Sequence, residues 1–215
     1  MIFTFWEGAQ PEYIKLCMKS WKFPFVMLNY QNLNDYTDLD IEKIKRFTLQ
    51  QIADIVRVHV LRDNGGTWID ADTIVSGKLP TETILGYPKT RENTIGFLNA
   101  EKEMFTEWAK FQDKIINCDD THDHWSTFGN AFTDKYLKEH KEIKIGRVDK
   151  YWHETKLEGN DRMQKYLEFY FSKSLHIKAD MLMLHNSWTP SWYKKLTEEE
   201  VLSVDCTLSN VLREI

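Results

Sequence analysis

Cysteine, basic charge and long apolar runs are all scarce in this sequence, and each scarcity excludes something. Cys17, Cys118 and Cys206 are far apart, odd in number and form no C-x-x-C pair, so neither a zinc site nor a disulfide framework is indicated. A reducing compartment is the simplest inference. A formal net charge of -5 argues against a general nucleic-acid binder, which shows a basic face. It leaves room for a nucleotide ligand, because local field matters more there than net charge. No run approaches the ~20 apolar residues needed to span a bilayer. Met1 to Glu7 carries no basic region and no long apolar stretch, so no signal peptide is expected. There is no internal repeat, low-complexity tract or convincing linker, which points to one domain.

What is present suits a soluble α/β protein. The chain has 215 residues, enough for a sizeable core. It is 42% hydrophobic and 28% charged, a globular rather than disordered balance. Eight Trp and nine Tyr are many for this length. Aromatics serve cores, and they also stack on bases and sugars.

Ile2 to Trp6 reads as a first strand, bounded by Glu7-Gly8. Pro11 suits the first position of a helix, along which Ile14, Cys17, Met18 and Trp21 repeat at helical spacing. Phe25 to Leu28 is a second strand, so the chain opens as a βαβ unit. Residues 31–40 form a polar loop ending in a helix cap. From Ile41 to Leu61 the pattern is helical, with a possible break, and its second half is apolar nearly all round. That predicts a helix buried on both sides. Asp54 and Arg57 lie within it at i, i+3, either as an internal ion pair or as groups reaching into a ligand site.

Further strands are expected at 94–98, 143–148 and 181–184, the last delivering His185. Further helices are expected around Met104 to Ile115, Ala131 to Tyr136 (capped by Ser126 or Thr127) and Met163 to Phe171. Thr197-x-x-Glu200 is a capping box for the last helix. Residues 118–130, with Asp119, Asp120, His122, Asp123 and His124, form either a surface loop or an acceptor-side wall.

The chemistry is expected at Gly65-Gly66-Thr67-Trp68-Ile69-Asp70-Ala71-Asp72. A helix runs into the diglycine, where the backbone can take a left-handed turn. A short β-type run follows. In an extended segment, residues i and i+2 share a face, so Asp70 and Asp72 are expected to project together. Two like charges so placed call for a cation, and oxygen ligands suit Mg²⁺, Mn²⁺ or Ca²⁺. A solvated turn carrying two Asp is the plain alternative.

With these pieces in place, the chain resembles the GT-A glycosyltransferases of the DXD type. Its pattern is similar to capsular polysaccharide synthesis proteins, Golgi initiating α-mannosyltransferases and bacterial toxin glucosyltransferases, and to glycosyltransferase domains of large chlorella viruses. The resemblance rests on Asp54, Arg57, Gly65-Gly66, Trp68 and Asp70-Ala71-Asp72, on Phe5-Trp6 at the end of the first strand, and on His185-Asn186-Ser187-Trp188 near the end. It implies a single Rossmann-like nucleotide-diphospho-sugar transferase domain over residues 1–215, with a mixed central sheet flanked by helices. The nucleotide part would be about 1–100 and the acceptor part about 101–215.

The resemblance also implies roles. Trp6 flanks the uracil of a nucleotide sugar such as UDP-glucose, with Thr4 and Phe5 beside it. Asp54 and Arg57 contact the donor sugar. Asp70, Ala71 and Asp72 line the donor site; Asp70 meets the ribose or a metal-bound water, and Asp72 ligates Mn²⁺ or Mg²⁺. His185 adds a ligand or a phosphate contact, and a His ligand favours Mn²⁺. Ser187 and Trp188 donate to the diphosphate. Asp54, Arg57, Asp70 and Asp72 are thus the expected catalytic residues, and Asp70, Asp72 and His185 the expected metal ligands. The implied reaction moves a hexose or deoxyhexose to an oligosaccharide or glycoprotein acceptor with retention, in the cytoplasm, or the host cytoplasm for a virus-encoded chain. One departure is Gly129-Asn130, where the family often has Gly-Pro.

Two other readings compete. Asp70-Ala71-Asp72-Thr73 also fits the first motif of haloacid-dehalogenase-type phosphatases, with Asp70 as nucleophile and Lys114 and Asp119-Asp120 as later motifs. A non-catalytic sugar-nucleotide binding module needs only the aromatics.

Overall fold

Thr48 decides where the long central helix begins. Its hydroxyl accepts from Gln51 N at 3.3 Å, and Gln51 Oε1 accepts from Thr48 N at 3.0 Å, a reciprocal capping box. The helical stretch expected over 41–61 is therefore broken. A one-turn helix, α2 (Ile41–Ile44), is capped by Asp40, and the main helix, α3 (Leu49–Asn64), restarts at Thr48. The computed structural model describes residues 1–81, 83, 95–118, 126–141, 161–178 and 180–215. The strand expected at 143–148, Thr94 of the strand expected at 94–98, and Asp119, Asp120, His122, Asp123 and His124 lie outside the described residues.

The chain forms two compact units, each made of three segments. The first comprises Met1–Glu7, Pro24–Asp70 and Thr81–Arg147. Its sheet has the order β2 (Val26–Leu28), β1 (Ile2–Phe5), β3 (Thr67–Ile69), β5 (Phe97–Asn99). β1 runs parallel to β2 and β3, as a strand–helix–strand opening requires, and β5 is antiparallel to β3. The sheet is thus mixed, and the class is α/β.

α3 packs against α4 (Lys102–Ile116), and on its other side against β1 and β3. Ile55, Val56, Val58, Val60 and Leu61 are all fully buried, which is the two-sided burial that their all-round apolar pattern predicts. Trp108 of α4 donates from Nε1 to Phe128 O at 2.9 Å and stacks on Phe132 of α5 (Asn130–Glu139). Neither Ser126 nor Thr127 caps α5. They belong to the preceding turn, in which Ser126 O accepts from Gly129 N, and Gly129 occupies the N-cap.

The second unit comprises Gly8–Phe23, Ala71–Pro80 and Val148–Ile215. Here α1 (Glu12–Lys19) lies against β4 (Thr73–Val75), which pairs antiparallel with β6 (Met181–Met183). Ser20 Oγ accepts from Val75 N, and Trp21 Nε1 donates to Thr73 O at 2.8 Å, so the end of α1 is tied to β4. The helix expected over 163–171 is α6 (Arg162–Leu167), which widens into a π turn over Glu168–Ser172. The capping box of Thr197 and Glu200 opens α7 (Glu198–Ser203), and α8 (Thr207–Arg213) follows. Among the described residues no helix is long and apolar enough to cross a membrane.

The diglycine after α3 is a backbone necessity. Gly65 and Gly66 have φ of 66 and 92, where side chains are strained. A Cβ on Gly65 would meet open space, but one on Gly66 would overlap the carbonyl oxygen of Met1. Gly65→Ala should therefore cost only the backbone term, about 1–3 kcal/mol, and Gly66→Ala about 1–3 kcal/mol more for the collision. Urea unfolding of the two variants checks the ordering.

His59, on α3, is 2% exposed. Burial, then Arg62, push its imidazole down to about 4, while Asp63 and Asp38 pull the other way; Asp113 faces it from α4 at 3.6 Å. The folded chain therefore binds fewer protons than the unfolded chain between about pH 4 and 6.5. This contribution to stability is present above that window and is lost as pH falls through it. His59→Gln should flatten the pH dependence of unfolding there, relative to the parent chain.

Candidate active site

The residues that the sequence singles out fall into two clusters, one in each unit, and the boundary between units comes between Asp70 and Ala71. In the first unit Arg57 is the hub. Its Nη2 stands 3.0 Å from Asp54 Oδ1 and 3.2 Å from Asp70 Oδ1. Its Nη1 donates to Ile95 O and its Nε to Ala53 O, and the guanidinium sits 5.2 Å from the centroid of Trp68. Asp54 and Arg57, one turn apart on α3, therefore form an internal ion pair and also reach Asp70.

Asp70 is held by more than Arg57. Trp68 donates from Nε1 to Asp70 Oδ1 at 2.7 Å, and Asp70 N donates to Gly96 O at 2.7 Å. Both side-chain bonds use Oδ1, so Oδ2 remains for another partner, and the side chain is 30% exposed. Sequence reading placed Trp68 in the motif but missed its bond. The signal was its i, i+2 relation to Asp70 at the end of a strand.

Burial pushes the Asp54 carboxyl up to about 7, with Arg57 pulling it down and Asp70 adding to the rise. Gln112 clamps this spot from α4, donating from Nε2 to both Asp54 O and Phe128 O. The clamp brings Gly129 against Asp54, where an added Cβ would stand 2.7 Å from Asp54 Oδ2. The Gly-Asn pair thus keeps the glycine that the packing needs; its second residue starts α5.

β1 alternates its faces. Phe3 and Phe5 belong to the core of the first unit, Phe5 lying edge-on to Tyr30. Thr4 and Trp6 take the opposite face by the strand's period of two. Trp6 N continues the pairing to Leu28 O at 3.0 Å. Trp6 Nε1 and Thr4 Oγ1 are buried and make no hydrogen bond. A buried donor left so is costly, about 1–3 kcal/mol.

In the second unit Asp72 is the hub. Ala71 and Asp72 form a turn between β3 and β4 rather than an extended strand, so the period-two argument for Asp70 and Asp72 does not apply. Asp72 Oδ2 accepts from Asn186 N at 2.8 Å, and Asp72 O accepts from Leu184 N. The turn after β6 is thereby brought to the Asp72 carboxylate. It carries His185, Ser187 and Trp188. The rings of His185 and Trp188 lie 4.1 Å apart, with Tyr166 edge-on to both. Ser187 is exposed.

Tyr13 and Asn186 have no assigned role in the sequence reading. Tyr13, fully buried on α1, donates from its hydroxyl to Asn186 Oδ1 at 2.5 Å. Burial, then the Asp72 charge, raise its phenol far above its usual range, so it remains a donor.

Among the described residues no three His, Cys, Asp or Glu side chains gather to hold a metal ion unaided. That donor chemistry fits Mn²⁺ or Mg²⁺ all the same. Such ions are held by one or two carboxylates together with substrate phosphates and water, rather than by an all-protein cage. It does not fit a structural zinc site.

No curated protein matches the chain. A family model described as capsular polysaccharide synthesis protein matches residues 1–199, and the chain therefore belongs to that family, whose work is glycan assembly.

Proposed function

We propose that the chain is a metal-dependent glycosyltransferase. It moves a hexose or deoxyhexose from a nucleotide sugar, UDP-linked, to a glycan acceptor with retention. The observation that carries this reading is the Asp54–Arg57–Asp70 cluster, in which a buried guanidinium is shared by two carboxylates at the end of β3. Family membership supports a transferase over the phosphatase alternative, and Lys114, which that alternative needs beside Asp70, is exposed on α4.

In this reading the Asp72 carboxylate would ligate the cation, and Asp70 Oδ2 would meet the ribose or a metal-bound water. A bound Mn²⁺ or Mg²⁺ supplies Lewis-acid stabilisation of the charge that develops on the departing diphosphate. His185 serves as a ligand or phosphate contact, and Ser187 and Trp188 as donors to the diphosphate. Those donors are preorganised, since the turn that bears them is fixed by the Asn186–Asp72 bond. Arg57 and Asp54 orient the sugar. Thr4 and Trp6 receive the base.

The test is a thermal-shift screen of UDP- and GDP-sugars with and without Mn²⁺, followed by an assay for slow hydrolysis of the best donor. Stabilisation by a UDP-sugar that requires Mn²⁺, with hydrolysis, is the expected result. Binding without hydrolysis would leave a sugar-nucleotide binding module, and phosphate release from general phosphoesters would mark a phosphatase. Trp6→Ala should weaken UDP binding by about 1–3 kcal/mol if the indole stacks on the base. Unchanged affinity by calorimetry would remove Trp6 from the site.

A further inference from the structure

A polar cleft lies on the side of α3 away from Arg57. Residues i and i+2 on a helix are about 200° apart, so His59 points away from the face that carries Arg57. The cleft has a volume of about 170 Å³ and is formed by the loop before α2, α2 itself, α3 and the end of α4. His59 lines it, 2% exposed, with no hydrogen bond at either ring nitrogen. Asp113 Oδ1 stands 3.6 Å from Nε2, beyond hydrogen-bond reach.

The lining narrows the ligand class. Asp38, Asp40 and Asp113 outnumber Lys43 and Arg62, and both cations are engaged: Arg62 with Asp38 and Asp63, Lys43 with Asn117. An anion is therefore disfavoured. A metal ion is disfavoured too, since no three ligating side chains gather among the described residues. A purely apolar ligand would leave His59 unsatisfied. A hydroxylated ring suits every part. Its O–H groups donate to the carboxylates and to the imidazole lone pair, and its oxygens accept from the imidazole N–H and Lys43. Its C–H face rests on Leu39, Ile44 and Ile116. The volume holds about five or six waters at ~30 Å³ each, the size class of one sugar ring rather than of a nucleotide.

We propose that the cleft between α2, α3 and α4 binds a neutral monosaccharide unit through His59, Asp113 and Lys43, at a place separate from the Asp54–Arg57–Asp70 cluster. For a chain of a glycan-assembly family, such a site would hold a sugar of a polysaccharide away from the transfer point.

The test is an NMR titration of the full chain with D-glucose, D-galactose, D-mannose and N-acetyl-D-glucosamine, following the His59 ring and the Asn117 side-chain amide. Metal and nucleotide are left out, so the result does not depend on whether the chain transfers sugars. A saturable shift with at least one sugar is expected, weakened about tenfold or more by Asp113→Ala and by Lys43→Ala. Lys43 is exposed and the Asp113 side chain is about half exposed, so both variants should fold. The inference is overturned if no sugar moves these signals. It is equally overturned if the shifts survive both substitutions, or if Zn²⁺ or inorganic phosphate moves the signals and the sugars do not.

Discussion

Asp72→Asn should abolish manganese-dependent UDP binding while leaving the fold intact. The substitution is chosen because Asp72, the proposed metal ligand, also holds a turn in place. Its Oδ2 accepts from Asn186 N at 2.8 Å, which positions the turn carrying His185, Ser187 and Trp188. Asn keeps a carbonyl oxygen for that bond and removes only the negative charge. Ala would remove both, and a loss of binding could then be blamed on a displaced turn. Outer-sphere partners of a metal ligand typically carry 10–100-fold in affinity, so loss of a charged ligand should cost at least about 100-fold. Calorimetry with UDP, in manganese and in chelator, separates the cases. The parent chain should show a large difference between the two conditions and Asp72→Asn almost none. If Asp72→Asn bound UDP in manganese as tightly as the parent does, the carboxylate would not be a metal ligand.

Tyr13→Phe in the same assay would tell how far the support extends. Its hydroxyl fixes Asn186, not Asp72 itself, so its effect should be smaller than that of Asp72→Asn.

Local features of this protein are written in short stretches of sequence, and the site mostly is not. The all-round apolar pattern from Ile52 to Leu61 announces a helix packed on two sides, and the structure places it between α4 and the sheet. Asp54 and Arg57 at i, i+3 announce one helical face, and they pair. The start of α3 was also legible, because Thr48-x-x-Gln51 is a capping signature, yet it stood inside a longer helical pattern that masked it. Other contacts are long-range. Tyr13 meets Asn186 across 173 positions, and no local periodicity encodes such a pairing. The turn at Ala71-Asp72 defeated a strand-based argument because three-residue strands end where side-chain and turn bonds outcompete the ladder. Gly129 reads only as the kept half of a Gly-Pro motif, and the reason for the glycine is visible only where Gln112 has brought it against Asp54.

Arg57→Met should be the most destabilising substitution in the first unit, by about 3–5 kcal/mol at pH 8, the range for breaking a buried ion pair by removing one partner. Arg57 is 4% exposed and serves Asp54, Asp70 and Ile95 O at once, so a methionine of similar reach fills the space but removes a donor from all three, leaving Asp70 with Trp68 Nε1. The pH dependence follows from Asp54. Burial already holds its folded carboxyl up at about 7, well above the usual carboxylate range, against the pull of Arg57. A raised carboxyl binds more protons folded than unfolded, so its contribution is full below about pH 4 and is lost as pH rises through the folded value. Without Arg57 that value climbs further, and the loss of stability extends to higher pH. The destabilisation should therefore be larger at pH 8 than at pH 5, where Asp54 escapes its burial cost by staying protonated. Urea unfolding at both pH values, without metal, reads this directly. A penalty independent of pH would mean that packing, not charge, is what Arg57 supplies. A penalty below about 1 kcal/mol at pH 8 would mean that the two carboxylates find water or other donors without it.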